Sequence, residues 1–200
     1  MTKQTKLIII CASAAIVVGA LVWWLFSTPD NDGVRLSNRI HLLKESIVPM
    51  RLKVVARSDG SAQVAVKFFD VDGKAVGRCE QQYTGGRITL RFMDVEIDGR
   101  HIYFPYEMTQ PSQTDTLRLQ LQQYYVNNGF PMVYDTHTGD ALLRNEIGVL
   151  YQNTLTLKRK KLEALYGCTA HIVEATLGEP MERVNYSVIV KADGGIEFGN

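Results

Sequence analysis

The feature that most constrains this chain is an uncharged apolar run of twenty residues, from Leu7 to Phe26, which reads LIIICASAAIVVGALVWWLF. A helix rises about 1.5 Å per residue, so a run of this length is about 30 Å long and matches the hydrocarbon core of a bilayer. Trp23 and Trp24 lie near its far end, where indole rings prefer the boundary between lipid and water. The sequence therefore predicts a single transmembrane helix over residues 7–26.

The charges beside this run predict its orientation. Lys3 and Lys6 precede it, and basic residues favour the cytoplasmic side of a membrane, so we expect residues 1–6 to form a cytoplasmic tail. The alternative is a signal peptide cleaved after Ala20, but the apolar cores of cleavable signals span about 7–15 residues. We expect an uncleaved signal-anchor in a bacterial inner membrane, with the exported domain in the periplasm.

The overall charge limits the kinds of partner. The chain has 22 Lys and Arg residues against 21 Asp and Glu residues. Residues 1–26 contain two of the lysines and none of the acids, so residues 27–200 keep 20 basic and 21 acidic residues, a net charge of −1. A surface this balanced lacks the clustered positive charge that binds phosphate groups. We therefore expect the lipid bilayer and another envelope protein as partners, and no nucleic acid.

After a polar tether at residues 27–35, the exported domain at residues 36–200 begins with helical spacing. Apolar residues fall every three or four positions from Leu36 to Ile47, which predicts a helix that ends before Pro49. Between residues 50 and 108 the apolar period changes to two, which predicts an antiparallel meander of about five strands. A further hairpin is expected from Tyr186 to Phe198.

Three local features refine the expected strands. The apolar phase slips by one residue after Phe92, which predicts a bulge or a bend. Pro105 lacks a backbone donor, and its strand is therefore expected at the edge of a sheet. Four Asp-Gly pairs mark tight turns, because these turns need the positive φ that Asp tolerates and Gly favours. The pairs are Asp59-Gly60, Asp72-Gly73, Asp98-Gly99 and Asp193-Gly194.

Two helices are expected to cover the sheet. Leu117, Leu121 and Tyr124 are spaced four and three residues apart, which predicts an amphipathic helix of about three turns. A second helix is expected at residues 157–166, although residues 154–157 alternate like a strand. The fold class we predict is α+β, a mainly antiparallel β domain with one or two packed helices. The alternative is a β-sandwich with helical insertions.

Cys79 and Cys168 are the two cysteines of the exported domain, and thiols outside the cytoplasm are often oxidised. A disulfide between them is one expectation, and a pair of buried free cysteines is the other. Neither belongs to a Cys-x-x-Cys motif, which argues against redox catalysis.

Motifs that would identify an enzyme or a metal protein are missing from the sequence. It contains no Gly-x-Ser-x-Gly elbow, no P-loop and no His-Glu-x-x-His, so we expect no metal and no cofactor. The run Asp70–Gly73 begins like a calcium loop but is not followed by a glutamate at the twelfth position, and a hairpin turn explains it better. Asp135, His137 and Asp140 would suit an acid–base pair, although such a run is more often a polar turn.

Three functional hypotheses remain open. The leading one is a non-catalytic binding or scaffolding component of an envelope assembly, which predicts an exposed apolar patch or a free sheet edge at the strand of Pro105. The alternative is a module that binds a small or lipid-like ligand between sheet and helices. A third is a hydrolase-like enzyme that uses Asp135, His137 and Asp140. The candidate ligand-binding residues are Tyr124, Tyr125, Phe130, Tyr134 and His137.

Overall fold

The computed structural model describes residues 36, 39–58, 60–84, 86–110, 117–136, 141–156, 162–163 and 166–200, which belong to one compact unit. The predicted transmembrane helix over residues 7–26, the tether at residues 27–35, His137 and Asp140 all lie outside this part of the chain. Within it, no helix is both long and apolar enough to span a membrane.

Strands dominate the described residues. They are β1 (Ser46–Ser58), β2 (Ser61–Phe69), β3 (Ala75–Thr84), β4 (Ile88–Ile97), β5 (Arg100–Gln110), β6 (Leu117–Gln120), β7 (Val126–Asn127), β8 (Phe130–Pro131), β9 (Thr169–Leu177), β10 (Asn185–Lys191) and β11 (Ile196–Gly199). The helix α1 spans Ala141–Thr156, and 3₁₀ turns span Gln122–Tyr124 and Met132–Tyr134.

The strands form two antiparallel sheets. Sheet A has the order β11-β10-β1-β2-β3 and sheet B the order β6-β5-β4-β9, while β7 and β8 form a short separate hairpin. The five strands predicted between residues 50 and 108 and the C-terminal hairpin are confirmed, as is the mainly antiparallel character. The single meander is wrong, because β1, β2 and β3 join sheet A whereas β4 and β5 join sheet B. This division agrees with the two-sheet alternative.

The two sheets share one hydrophobic core. On sheet A, Leu52 and Val66 are a buried cross-strand pair, while alternate residues such as Arg51 are exposed. Sheet B contributes Leu90 and Phe92 to the same cluster. The apolar alternation in the sequence is therefore the alternation between a core face and a solvent face.

The predicted bulge near Phe92 lies in the neighbouring strand. β4 pairs with β9 without interruption from Ile88 to Glu96. Its pairing with β5 shifts, because Arg91 lies opposite Glu107 while Phe92 lies opposite Pro105. Tyr106 is thus the extra residue, and the bulge is on β5.

The helix predicted from Leu36 to Ile47 is largely wrong. Leu36, Arg39 and Ile40 are helical, but β1 already begins at Ser46 and runs through Pro49. The pairing of β1 with β10 shifts its register between Ile47 and Met50. A proline is tolerated inside a strand at such an irregularity, because no ladder hydrogen bond is required of its nitrogen there.

The amphipathic helix predicted from Leu117 to Tyr124 is wrong. Leu117 lies in β6, Tyr124 ends a 3₁₀ turn, and the hairpin β7–β8 follows. Asn128 and Gly129 form its two-residue loop, with φ of 48° and 79°. Asn-Gly is the preferred sequence for such a turn, so this dipeptide was a stronger signal than the apolar spacing.

Helix α1 was not predicted. Residues 154–156, which alternate in the sequence like a strand, are its last turn. Ile147, Leu150 and Tyr151 form its buried side, and the ring of Tyr151 lies 5.0 Å from that of Phe104 in β5. The helix expected at residues 157–166 is confirmed only at the described residues 162, 163 and 166, which are helical and precede Gly167 at a φ of 61°.

The disulfide between Cys79 and Cys168 is wrong, since both cysteines are buried and free. Cys79 lies on β3 in sheet A, whereas Cys168 directly precedes β9 in sheet B. Burial raises the pKa of the Cys79 thiol to about 11, and the carboxylate of Glu80 acts in the same direction. Burial also raises the pKa of Cys168.

Candidate binding site

The segment from Leu121 to Asp135 covers the part of β5 that β6 leaves unpaired. β6 pairs only with Glu107–Gln110, so the backbone around Tyr103 and Pro105 needs other partners. The hydroxyl of Tyr125 donates to the carbonyl of Pro105 at 2.7 Å. The hydroxyl of Tyr134 accepts from the amide of Tyr103 at 2.9 Å and donates to its carbonyl at 3.1 Å. The edge expected to be free at Pro105 is therefore closed by tyrosine side chains.

The aromatic residues predicted to bind a ligand therefore have different roles. Some hold the fold together, and others line recesses. Tyr125 and Tyr134 are buried, and burial raises the pKa of both phenols. Tyr124 is partly buried, and its ring is parallel to that of Phe68 at 6.5 Å. The structure does not bring the aromatics to one pocket: Tyr124 and Tyr125 line a recess of about 360 Å³, while Phe130 and Tyr134 line two others.

The recess between Leu42, Tyr134 and Leu143 has mainly apolar walls and is called the apolar cleft below. Its volume is about 310 Å³, at the lower end of the range for ligand pockets. Leu42 is 54% exposed, so this wall presents an apolar side chain to solvent. The lining residues are Leu42, Leu43, Lys44, Val71, Asp72, Tyr134, Thr136, Leu143, Arg144 and Ile147.

The charges at the apolar cleft are paired with one another. The Nζ atom of Lys44 donates to the carbonyl of Val71 at 2.6 Å and lies 3.4 Å from a carboxylate oxygen of Asp72. The Nε atom of Arg144 lies 2.8 Å from a carboxylate oxygen of Asp135. Because both cations have a carboxylate partner, the cleft suits an apolar group better than an anion.

Of the residues that line this cleft, only Tyr134 was predicted from the sequence to bind a ligand. Leu42 and Leu43 lie in a turn that had been expected to be helical, and Leu143 and Ile147 lie on the helix that was not predicted. The available signal was the spacing of Leu143, Ile147 and Leu150 by four and three residues, which is typical of a helix with one buried side.

A second polar cluster was also missed. Asp94 is buried in β4, and the Nδ1 atom of His101 lies 2.9 and 3.0 Å from its two carboxylate oxygens. The Nε2 atom of His171 lies 3.4 Å from the same carboxylate. Register explains this arrangement, because His171 lies opposite Asp94 on β9 and His101 is a diagonal neighbour on β5. An aspartate within an apolar strand was the signal for it.

A carboxylate that orients an imidazole is the pattern of acid–base dyads, which need a nucleophile or substrate at the other ring nitrogen. His101 instead stacks on Tyr103, with ring centres 5.8 Å apart, and a methyl group at Gly194 would lie 3.4 Å from its Nε2 atom. Among the described residues, no three His, Cys, Asp or Glu side chains form a metal site. We therefore assign the cluster a structural role, in which side chains of β5 and β9 bind the carboxylate on β4.

The two loops considered for calcium binding and for acid–base catalysis are explained by contacts of their own side chains, as far as the structure describes them. The carboxylate of Asp70 accepts hydrogen bonds from the amides of Asp72 and Lys74 at 3.0 and 2.8 Å, which confirms the hairpin turn. Asp135 is held by Arg144, while its suggested catalytic partners lie outside the described residues. No protein family matches this chain, and neither a curated protein nor a solved structure does.

Proposed function

We propose that this chain is a membrane-anchored, extracytoplasmic binding component of an envelope assembly, and that it acts without catalysis. The apolar cleft is the observation that carries the proposal. It is open to solvent, its walls are mainly apolar, and Leu42 stands exposed beside it. An apolar side chain of a neighbouring protein would gain about 1.5–3 kcal/mol by burial there.

The charges favour a protein partner over a lipid-like ligand. A fatty acid or an anionic phospholipid has a negatively charged head group, and both cations of the cleft already have carboxylate partners. Anchoring supports the same conclusion, since a tethered domain meets neighbouring envelope proteins at a high effective concentration.

Crosslinking from a single position tests this proposal. A photoreactive amino acid replaces Leu42 in the full chain, and intact cells are irradiated. We expect one discrete crosslinked protein, because Leu42 lines the cleft. Val55 is the matched control, since it is also an exposed apolar residue but lies on β1 and does not line the cleft.

Either of two results would contradict the proposal. Equal crosslinking from Val55 and Leu42 would mean that contact is unspecific. Crosslinks from Leu42 to lipid alone would favour a lipid-like ligand over a partner protein.

A further inference from the structure

Another recess that Arg144 lines is called the amide groove below. It runs between the β7–β8 hairpin and helix α1, and its volume is about 510 Å³. Arg144 lines both recesses, but the two share no other residue. The groove is lined by Asn128, Gly129, Phe130, Ala141, Arg144, Asn145, Gly148, Val149, Gln152 and Asn153.

Four carboxamides give this groove its chemistry. Within the described residues, the side chains of Asn128 and Asn145 make no hydrogen bond, and both residues are exposed. Gln152 donates to the carbonyl of Gly129 at 2.6 Å, and Asn153 donates to the hydroxyl of Tyr166 at 2.5 Å. Each of these two amides uses its nitrogen in that bond, so its oxygen remains as an acceptor.

The groove carries almost no net charge. Its lining residues include no carboxylate, and its one cation, Arg144, is paired with Asp135 at 2.8 Å. The guanidinium of Arg144 also lies over the ring of Phe130, 4.5 Å from its centre. A charged ligand would find no unpaired side chain of opposite charge in the groove. A neutral ligand does not need one.

Two glycines of the groove leave no space for a larger side chain. A methyl group at Gly129 would lie 2.7 Å from the Gln152 amide, and one at Gly148 would lie 3.2 Å from the Phe130 ring. These glycines therefore keep the hairpin and the helix close together, with the ring between them. Amide groups beside an aromatic ring suit a ligand that has both hydroxyl groups and apolar C–H faces.

We infer that the amide groove binds a neutral saccharide chain. Hydroxyl groups donate and accept, as carboxamides do, and the C–H face of a sugar ring packs on an aromatic ring. An extended peptide would be expected to pair with an exposed sheet edge, but β7 and β8 are two residues long each. The inference is independent of the apolar cleft.

Calorimetric titration of the full chain tests the inference, in a detergent without a sugar head group. The probes are cellotetraose, maltotetraose and chitotetraose, and tetra-alanine represents the peptide. We expect at least one saccharide to bind and the peptide not to. Asn145→Ala should weaken that binding roughly threefold to tenfold, the effect of one lost hydrogen bond.

The matched control is Gln123→Ala, which removes an exposed carboxamide outside the groove and should leave the affinity unchanged. Leu42→Ala should also leave it unchanged, which separates this site from the apolar cleft. The inference is overturned if none of the three saccharides binds, if tetra-alanine binds instead, or if Asn145→Ala binds as tightly as the unchanged chain.

Discussion

Asp94 shows how one residue can be polar in an apolar strand without disrupting it. Burying an ionised carboxylate is costly unless charged or hydrogen-bonding groups compensate. Here two imidazoles approach the carboxylate, one from β5 and one from β9. The sequence placed Asp94 on a strand, but its partners follow from the pairing of three strands.

We expect Asp94→Ala to lower the free energy of unfolding by about 1–3 kcal/mol, because it leaves the ring nitrogen of His101 without its acceptor. His171→Ala should cost less than about 1 kcal/mol, since the side chain of His171 is half exposed. Urea denaturation followed by circular dichroism measures both. If the two substitutions cost the same, the cluster is not centred on the buried carboxylate.

The buried thiols make a second prediction for single residues. A pKa of about 11 leaves about one Cys79 thiol in a thousand ionised at pH 8. Because the thiolate is the reactive form, maleimide should label neither Cys79 nor Cys168 in the folded protein at pH 8, and labelling of Cys79 should rise as the pH approaches 11. Mass spectrometry of a Cys11→Ser chain, folded and in urea, measures this. Rapid labelling of the folded chain would refute it, and a mass two hydrogens lower would show a disulfide.

Among the elements, β5 is a strand as predicted but differs in its place in the sheet. Pro105 was expected on an edge strand, which is wrong, because β5 lies between β6 and β4 in sheet B. β6 pairs only with Glu107–Gln110, so the stretch around Pro105 alone lacks a strand neighbour on one side. The closure of this stretch by Tyr125 and Tyr134 was not predictable from the local sequence pattern, because aromatic residues in a loop are compatible with many partners. A closed edge also removes one surface to which another chain could add a strand.

Tyr134→Phe tests this closure. The change removes the hydroxyl that serves both the amide and the carbonyl of Tyr103, and we expect it to cost about 1–3 kcal/mol of unfolding free energy. Tyr106→Phe is the control, since Tyr106 lies on β5 and its hydroxyl makes no hydrogen bond within the described residues, and it should cost less than about 0.5 kcal/mol. Thermal unfolding of the two variants compares them, and equal midpoints would rule out this role for the hydroxyl.

At the scale of the whole molecule, the segment from Leu121 to Asp135 also closes against sheet A. Gly77 on β3 lies so close to this segment that a methyl group there would be 1.9 Å from the carbonyl oxygen of Tyr124. The rings of Phe68 and Tyr125 meet at 5.4 Å in the same region. A loop that contacts both sheets thus fixes one side of the core.

Gly77→Ala should therefore destabilise the protein by about 1–3 kcal/mol, because backbone would have to move to admit the methyl group. Gly178→Ala is the control, since nothing lies within 4 Å of the added atom, and its effect should be within about 0.5 kcal/mol. Denaturant midpoints of both variants provide the measurement. A neutral Gly77→Ala would mean that this contact does not hold the segment in place.

The topology of the full chain is a prediction from sequence alone. A phosphatase that folds only outside the cytoplasm, fused after Asn200, should be active in cells and sediment with membranes after alkaline washing. Deleting residues 7–26 should abolish this activity, because the domain would then stay in the cytoplasm. Activity without these residues would refute the predicted signal-anchor.

The sequence by itself determined the strands between residues 50 and 108, the turns at Gly73, Gly99 and Gly194, and the C-terminal hairpin. These features follow from side-chain alternation and from the positive φ at turn residues, which act within a few positions of the chain. The tertiary structure alone decided that the strands divide into two sheets, that tyrosines close β5, and that two distant histidines approach Asp94. Each of these depends on which segments pack together, and that choice is made by burial over the whole molecule rather than by local backbone preference.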